Sequence, residues 1–132
     1  MKDPNNPCLF CNIKKKDITD ENELAYASFD TYPVSQHHCL IVPKRHIKSY
    51  FELSEEEVIS CNKLIINIKK QIEFKDKSVK GYNIGTNSGK VAGQSIMHCH
   101  IHLIPRRKGD VVKPQGGVRS VIPLKQHYVR KF

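Results

Sequence analysis

The sequence predicts a mixed domain of β-strands and one long α-helix, and three observations carry that prediction. In Gln94–Pro105, histidines at 98, 100 and 102 alternate with Cys99, Ile101 and Leu103. Alternate residues of a strand share a face, so this pattern describes a strand with an imidazole row on one side and an apolar set on the other. On a helix, residues two apart do not face each other, and the row would scatter. The second observation is a helix signature from Ser54 to about Phe74. The third is the glycine-bearing loop Asn87–Gly93 between two strand-like segments, which most simply pair antiparallel.

In chain order, Cys8-Leu-Phe-Cys-Asn-Ile13 has the look of a short metal knuckle leading into a basic loop. Glu23–Phe29 alternates loosely and carries aromatics, which suits a strand, ended by Asp30 and the Thr31-Tyr32-Pro33 turn. His38–Val42 is an apolar strand stopped by Pro43. Ser54 and Glu57 form a capping box, with Leu53 and Val58 placed for a hydrophobic staple. Val58, Cys61, Ile65, Ile68 and Ile72 then recur at helical spacing, an apolar stripe for packing on a sheet. Tyr82, Ile84 and Thr86 alternate as a further strand before the loop and the histidine row. Beyond Asp110 the prolines and glycines predict an irregular tail over 109–132.

At 132 residues the chain is expected to form one domain over 1–132, its motifs within about 8–108. No apolar run approaches the roughly 20 residues of a membrane span. The N-terminal stretch to Pro7 lacks the apolar core of a secretory leader. A cytoplasmic protein without membrane association is therefore expected. Five cysteines, an odd number opened by Cys8-x-x-Cys11, suit metal or redox work in a reducing compartment more than a disulfide frame. Cys39, Cys61 and Cys99 read as small core residues. A net charge of +9 favours anionic partners. Because the lysines are scattered and not interleaved with aromatics, nucleic acid is the least favoured of these.

One strand histidine is usually a partly buried polar residue, but three in strict alternation define a site, since each needs hydrogen-bond partners if buried. Imidazole is mostly neutral at neutral pH, and its nitrogen can attack phosphorus to give a phosphoramidate that water opens. That chemistry needs the second ring nitrogen held by an acceptor, and donors around the phosphoryl oxygens. His100, His102, Gln94 and Ser95 are candidates, and backbone N–H groups of the Asn87–Gly93 loop could reach the phosphate.

His98-Cys-His-Ile-His-Leu-Ile104 resembles the His-φ-His-φ-His-φ-φ signature of the histidine triad (HIT) superfamily of nucleotide hydrolases and transferases. Ala92-Gly93-Gln94-Ser95, Asn87, Phe29-Asp30 and His38–Ile47 resemble further blocks of that family in the expected order. The resemblance implies an α+β fold, a HIT-like antiparallel sheet of about five strands with one long and one or more short helices, assembled as a homodimer. It implies a nucleotide substrate and no organic cofactor. His100 becomes the nucleophile; His102 and Gln94 contact the reacting phosphate. His38 is a further active-site histidine, and Ser95 lies near the leaving group. Asp30 takes the ribose hydroxyls, and Phe29, Asn87 and Gly93 complete substrate binding. Zinc-bearing members imply that Cys8, Cys11, His46 and His98 hold a structural zinc, a filled tetrahedral set without catalytic work. The segments Pro105–Asp110 and Gly116–Arg119 resemble the branch that cleaves dinucleoside polyphosphates such as diadenosine tetraphosphate. The alternatives are a purine nucleoside phosphoramidase with the same intermediate, and a non-catalytic nucleotide- or RNA-binding module. Arg106, Arg107 and Arg119 are candidates for a polyphosphate tail, against a reading as exposed, unpartnered cations. His37 and His127 are expected in solvent.

Overall fold

The computed structural model describes residues 5–131; Met1–Pro4, part of the stretch read above for a leader, and Phe132 lie outside them. Among the described residues five strands form one sheet: β1 (Asp20–Glu21), β2 (Ala25–Phe29), β3 (Cys39–Pro43), β4 (Val79–Gly85) and β5 (Ile101–Arg107). Their order is β1-β2-β3-β5-β4, with every neighbouring pair antiparallel. The helix α1 (Glu55–Lys75) covers one face. The expected α+β architecture is what the chain adopts.

The helix begins where its caps dictate. Ser54 Oγ accepts from Glu57 N–H and the Glu57 carboxylate accepts from Ser54 N–H, the two bonds of the capping box. Glu57 also takes a bidentate contact from Arg45, at 2.7 and 3.1 Å. That contact ties the 44–47 segment to the helix start and holds the Glu57 carboxyl down at about 2. The buried stripe is Cys61, Leu64, Ile68 and Ile72, with Ile65 beside it. Two helix positions correct the expected stripe. Leu64, 1% exposed, takes the central place. Val58, at 36% exposed, sits at the stripe's edge because the first turn is held by the polar Glu57–Arg45 contact.

The sheet separates two apolar groups. Ala25, Ala27, Cys39, Ile41, Val79, Ile101 and Leu103 face α1. Phe10, Tyr26, Leu40 and Val42 cluster on the opposite face with Cys8, Ile13, Ile18 and Ile96. This explains why β2 alternates in size and not in polarity: both of its faces are covered. Small alanines lie under the helix, and Tyr26 reaches the other way to donate from its hydroxyl to Phe10 O at 2.7 Å. Cys39, Cys61 and Cys99 are core residues as expected, burial pushing their thiols up to about 12, 11 and 12.

The histidine stretch differs in one respect from the strand expected. Regular pairing begins only at Ile101, so His98 and His100 lead into β5 and His102 lies within it. Ladder pairing gives way there to local clamps: Cys99 N–H donates to Ile47 O at 2.7 Å, and Thr86 Oγ1 donates to His100 O at 2.7 Å. The alternation survives this: Cys99 and Ile101 are buried in the core, while His100 and His102 line the cavity.

Candidate active site and metal centre

The face of the sheet away from α1 carries a cavity of about 660 Å³, within the usual range for a small-molecule site. Phe29, Asp30, His38, Asn87, Gly93, Ser95, His100 and His102 all line it. Of the residues expected at the catalytic and substrate positions, only Gln94 does not. Its side chain is buried behind the loop: Oε1 accepts from Gly89 N–H at 2.8 Å, and Nε2 donates to Lys48 O and Ile96 O. Gln94 shapes the loop and its placement gives no support to direct phosphate contact.

The loop itself turns through Gly89 and Gly93, at φ of 96° and 94°, where a side chain would be strained. The N–H groups of Gly89, Ala92, Gly93 and Gln94 are all engaged inside the loop. The expected backbone cradle for phosphate is therefore absent at those four positions. Polar residues that line the cavity include Asn87, Ser95, Asp30 and the histidines at 38, 100 and 102.

Ring tautomers follow from the bonding. His100 Nδ1–H donates to the His98 carbonyl at 2.8 Å, which leaves the Nε2 lone pair free. Val34 N–H donates to His38 Nδ1 at 3.1 Å, so the neutral His38 ring carries its proton on Nε2. That proton is donated to His102 Nδ1 at 2.9 Å, and His102 in turn presents Nε2–H. Asp30 Oδ2 lies 3.4 Å from His38 Nε2 and 3.9 Å from His102 Nδ1. Its Oδ1 accepts from Tyr32 N–H at 2.8 Å, so Asp30 also makes the turn after β2. Burial lowers the pKa of His38 against the pull of Asp30. Burial, aided by the neighbouring His100 and His38, lowers that of His102. His38 and His102 therefore stay neutral near pH 7. A lone pair on His100 and a donor on His102 stand side by side, the two rings 5.4 Å apart.

Cys8, Cys11, His46 and His98 converge a few residues away, their ligand atoms all within 4.8 Å of one another. Cys8 Sγ is 3.3 Å and Cys11 Sγ 3.5 Å from His98 Nδ1; His46 Nδ1 is 3.2 Å from both Cys11 Sγ and His98 Nδ1. Two sulfurs and two imidazole nitrogens at those separations are the edges of a tetrahedron about a small soft cation. His98 Nε2–H donates to Pro43 O at 2.8 Å, which frees Nδ1 to ligate. Cys11 N–H donates to Cys8 Sγ at 3.4 Å, a further stabiliser of thiolate. The donor set fits zinc.

Sequence reasoning missed Phe10, which stands between the two thiols and packs on His98 and His100, at centroid distances of 5.9 and 4.9 Å. The signal that could have found it is its position inside the CxxC. The arginines also correct an expectation. Arg106 is paired with Asp110 and Asn83, Arg107 with Asp76, Ser78 and Gln36 O, and Arg119 with the carbonyls of Lys125 and Gln126. None of the three is an unpartnered cation, and none lines the cavity. His37 is not in free solvent either: it sits half-buried 3.6 Å from Asp76.

An α+β sheet that presents a row of three histidines, one free at Nε2 and one turned to a metal-type quartet, defines a histidine-triad protein. The HIT domain family model matches residues 12–109, and the chain belongs to the HIT family. An uncharacterised HIT-like protein of Methanocaldococcus jannaschii is 40% identical over 121 residues, covering 86% of this chain and 91% of that one. The adenosine 5'-monophosphoramidase hnt1 of Schizosaccharomyces pombe is 35% identical over 103 residues, 75% of this chain and 74% of that one. Among solved structures, a zinc-bound histidine triad family protein from Mycobacterium smegmatis superposes with a TM-score of 0.71 at 30% identity, over 81% and 80% of the two chains. The diadenosine triphosphate hydrolase of Plasmodium falciparum superposes with a TM-score of 0.66 at 30% identity, over 76% and 68%. No helix among the described residues is long and apolar enough to cross a membrane.

Proposed function

We propose that this HIT-family hydrolase attacks the α-phosphate of a nucleotide conjugate through His100 Nε2 and releases a nucleoside monophosphate. The observation that carries the reading is the bond from His100 Nδ1–H to the His98 carbonyl, which fixes the nucleophilic tautomer toward the cavity. In the first step the Nε2–P bond forms and the bond from phosphorus to the leaving group breaks. His102 Nε2–H, Asn87 and Ser95 stand where the equatorial oxygens gather charge, and Asp30 stands where ribose hydroxyls would lie. Water then opens the P–N bond, and His100 is restored.

The leaving group is read first as a nucleoside polyphosphate, so that the substrate is a dinucleoside polyphosphate. Similarity to the P. falciparum hydrolase and the tail motifs support this. The second reading, an amine leaving from a nucleoside phosphoramidate, is favoured by the similarity to the S. pombe monophosphoramidase. The pairing of Arg106, Arg107 and Arg119 also favours it, since it removes the expected cations from a polyphosphate's path. Turnover of diadenosine tetraphosphate and an adenosine phosphoramidate, side by side, separates them. A preference of orders of magnitude in kcat/KM for the phosphoramidate would put the second reading first. Rapid mixing with substrate followed by mass measurement without acid should show a nucleotidyl adduct on His100. Turnover with no adduct under rapid quench would refute the covalent route.

The same reading includes a structural zinc on Cys8, Cys11, His46 and His98, a cytoplasmic setting and a homodimer. For the dimer, the support is that β4 lies at the edge of the sheet with Ile84 half exposed. Sedimentation at micromolar concentration tests it.

A further inference from the structure

The ladder between β3 and β5 runs from Ile41 opposite Ile101 to Cys39 opposite Leu103, so His38 stands one residue past its end. Its carbonyl is tied to the β2 side, where it accepts from Asp30 N–H at 2.9 Å; its ring is set by the turn in front of it. That turn carries a strained residue. His37 has a φ of 73°, in the left-handed region, and among the described residues Leu124 is the only other non-glycine with a positive φ. A side chain there is unfavourable, and such a conformation persists only where the surroundings over-determine it.

The contacts that hold this turn come from outside the cavity. One terminal nitrogen of Arg107 donates to Gln36 O at 3.0 Å and to Asp76 Oδ2 at 2.9 Å, and Arg107 Nε donates to Ser78 Oγ at 3.2 Å. Asp76 directly follows α1, and its Oδ2 also lies 3.6 Å from His37 Nε2. Arg107 and Ser78 hold the Asp76 carboxyl well below the usual carboxylate range, so it is charged. The peptide before the left-handed residue and the ring on that residue are thus caught on one guanidinium–carboxylate pair. Ser35 Oγ donates to Pro105 O at 2.8 Å, and His38 N–H donates to Ser35 O at 3.1 Å. The strand that presents His102 therefore grips this turn twice, from Pro105 and from Arg107.

What the turn delivers is Val34 N–H on His38 Nδ1. Two neutral rings that share one proton can carry it in either direction, from His38 Nε2 to His102 Nδ1 or the reverse. Only the first direction leaves a proton on His102 Nε2 for a phosphoryl oxygen. Val34 N–H occupies the lone pair of His38 Nδ1 and so selects it. Resting on the nucleotide reading above, we propose that Arg107 and Asp76 are positioning residues. Acting through the turn at His37, they keep Val34 N–H on His38 and thereby set the direction of the His38–His102 bond.

The test observes both rings by long-range proton–nitrogen NMR of the intact, ligand-free chain at about pH 7.5, where both are neutral. In the wild type each should carry its proton on Nε2. In Arg107→Ala the ratio of the Nε2–H to the Nδ1–H form should fall about fivefold in both rings, the scale of one hydrogen bond. Arg106→Ala removes the neighbouring arginine, which is paired with Asp110 and Asn83, and should leave both rings as in the wild type. Unchanged rings in Arg107→Ala, or an equal shift in Arg106→Ala, overturn the proposal. If Arg107→Ala fails to fold by circular dichroism, Asp76→Asn, which removes the charge facing Arg107 and His37, decides by the same ratio. Turnover of an adenosine phosphoramidate separates this proposal from the reading it rests on. A shifted ratio with kcat unchanged leaves the clamp standing and refutes His102 as the phosphoryl donor; a fall in kcat with the ratio unchanged overturns the clamp alone.

Discussion

His98 and His100 are two residues apart on the segment that leads into β5, and their rings meet opposite fates. His98 is fully buried, donates from Nε2 to Pro43 O and turns Nδ1 to two thiols and a second imidazole. His100 donates from Nδ1 to a backbone carbonyl and turns Nε2 to an open cavity. Residue type is the same in both. In the proposed function, what suits one ring to metal and the other to phosphorus is which nitrogen a backbone carbonyl has already taken. The Cys8-Cys11-His46-His98 quartet is closed, all four candidate donors converging, whereas the histidines of the cavity keep one side open.

Each side of this comparison can be broken separately. The largest effect is expected from His100→Ala, which should lower kcat by at least about 10⁴-fold, in line with removal of other nucleophiles. Its far-UV spectrum and zinc content should stay those of the wild type; turnover at an undiminished rate would end the account. Cys11→Ala should act on the other side. Metal analysis should find one zinc per chain in the wild type and none in the variant. At a thousandfold excess of metal over Kd the lost stabilisation is about 4 kcal/mol, a fall of roughly 15 °C in Tm for a domain of this size. His38→Phe removes the donor that sets the His102 tautomer, and kcat/KM should fall about 100-fold with zinc retained. The smallest effect concerns pH. Burial lowers the pKa of His38 and His102 in the fold, so as pH drops below the ordinary value of about 6.5 the unfolded chain takes up protons first. Stability should be full above that pH and decline below it, followed as denaturation midpoints from pH 7.5 to 5.5. An unchanged midpoint across that range would contradict the buried, neutral pair.

Much of this is legible in the sequence because local rules and the site agree. The capping box at Ser54 and Glu57, the strand before Pro43 and the row at 98–102 each follow from spacing alone. The short β1 is not legible: two residues, Asp20 and Glu21, carry no periodicity, and they pair only because β2 offers an edge. The inward turn of Gln94 is hidden for a related reason. Its neighbours in sequence line the cavity, yet the reversal through Gly93 carries its amide behind the loop, and chain order does not reveal that reversal. Arg106 and Arg107 look like surface charge in the sequence because two of their partners, Asn83 and Asp76, are 23 and 31 residues away.

The position of Phe10 has a consequence for where the molecule can be cut. The family model spans residues 12–109, yet a wall of the cavity and both sulfur donors come from residues 8–11. A protein trimmed to that consensus region would keep its row of imidazoles while losing the lining that rests on His100. It would also forfeit half of the quartet. The boundary that defines kinship and the boundary that completes the cavity and the quartet are, in this molecule, different.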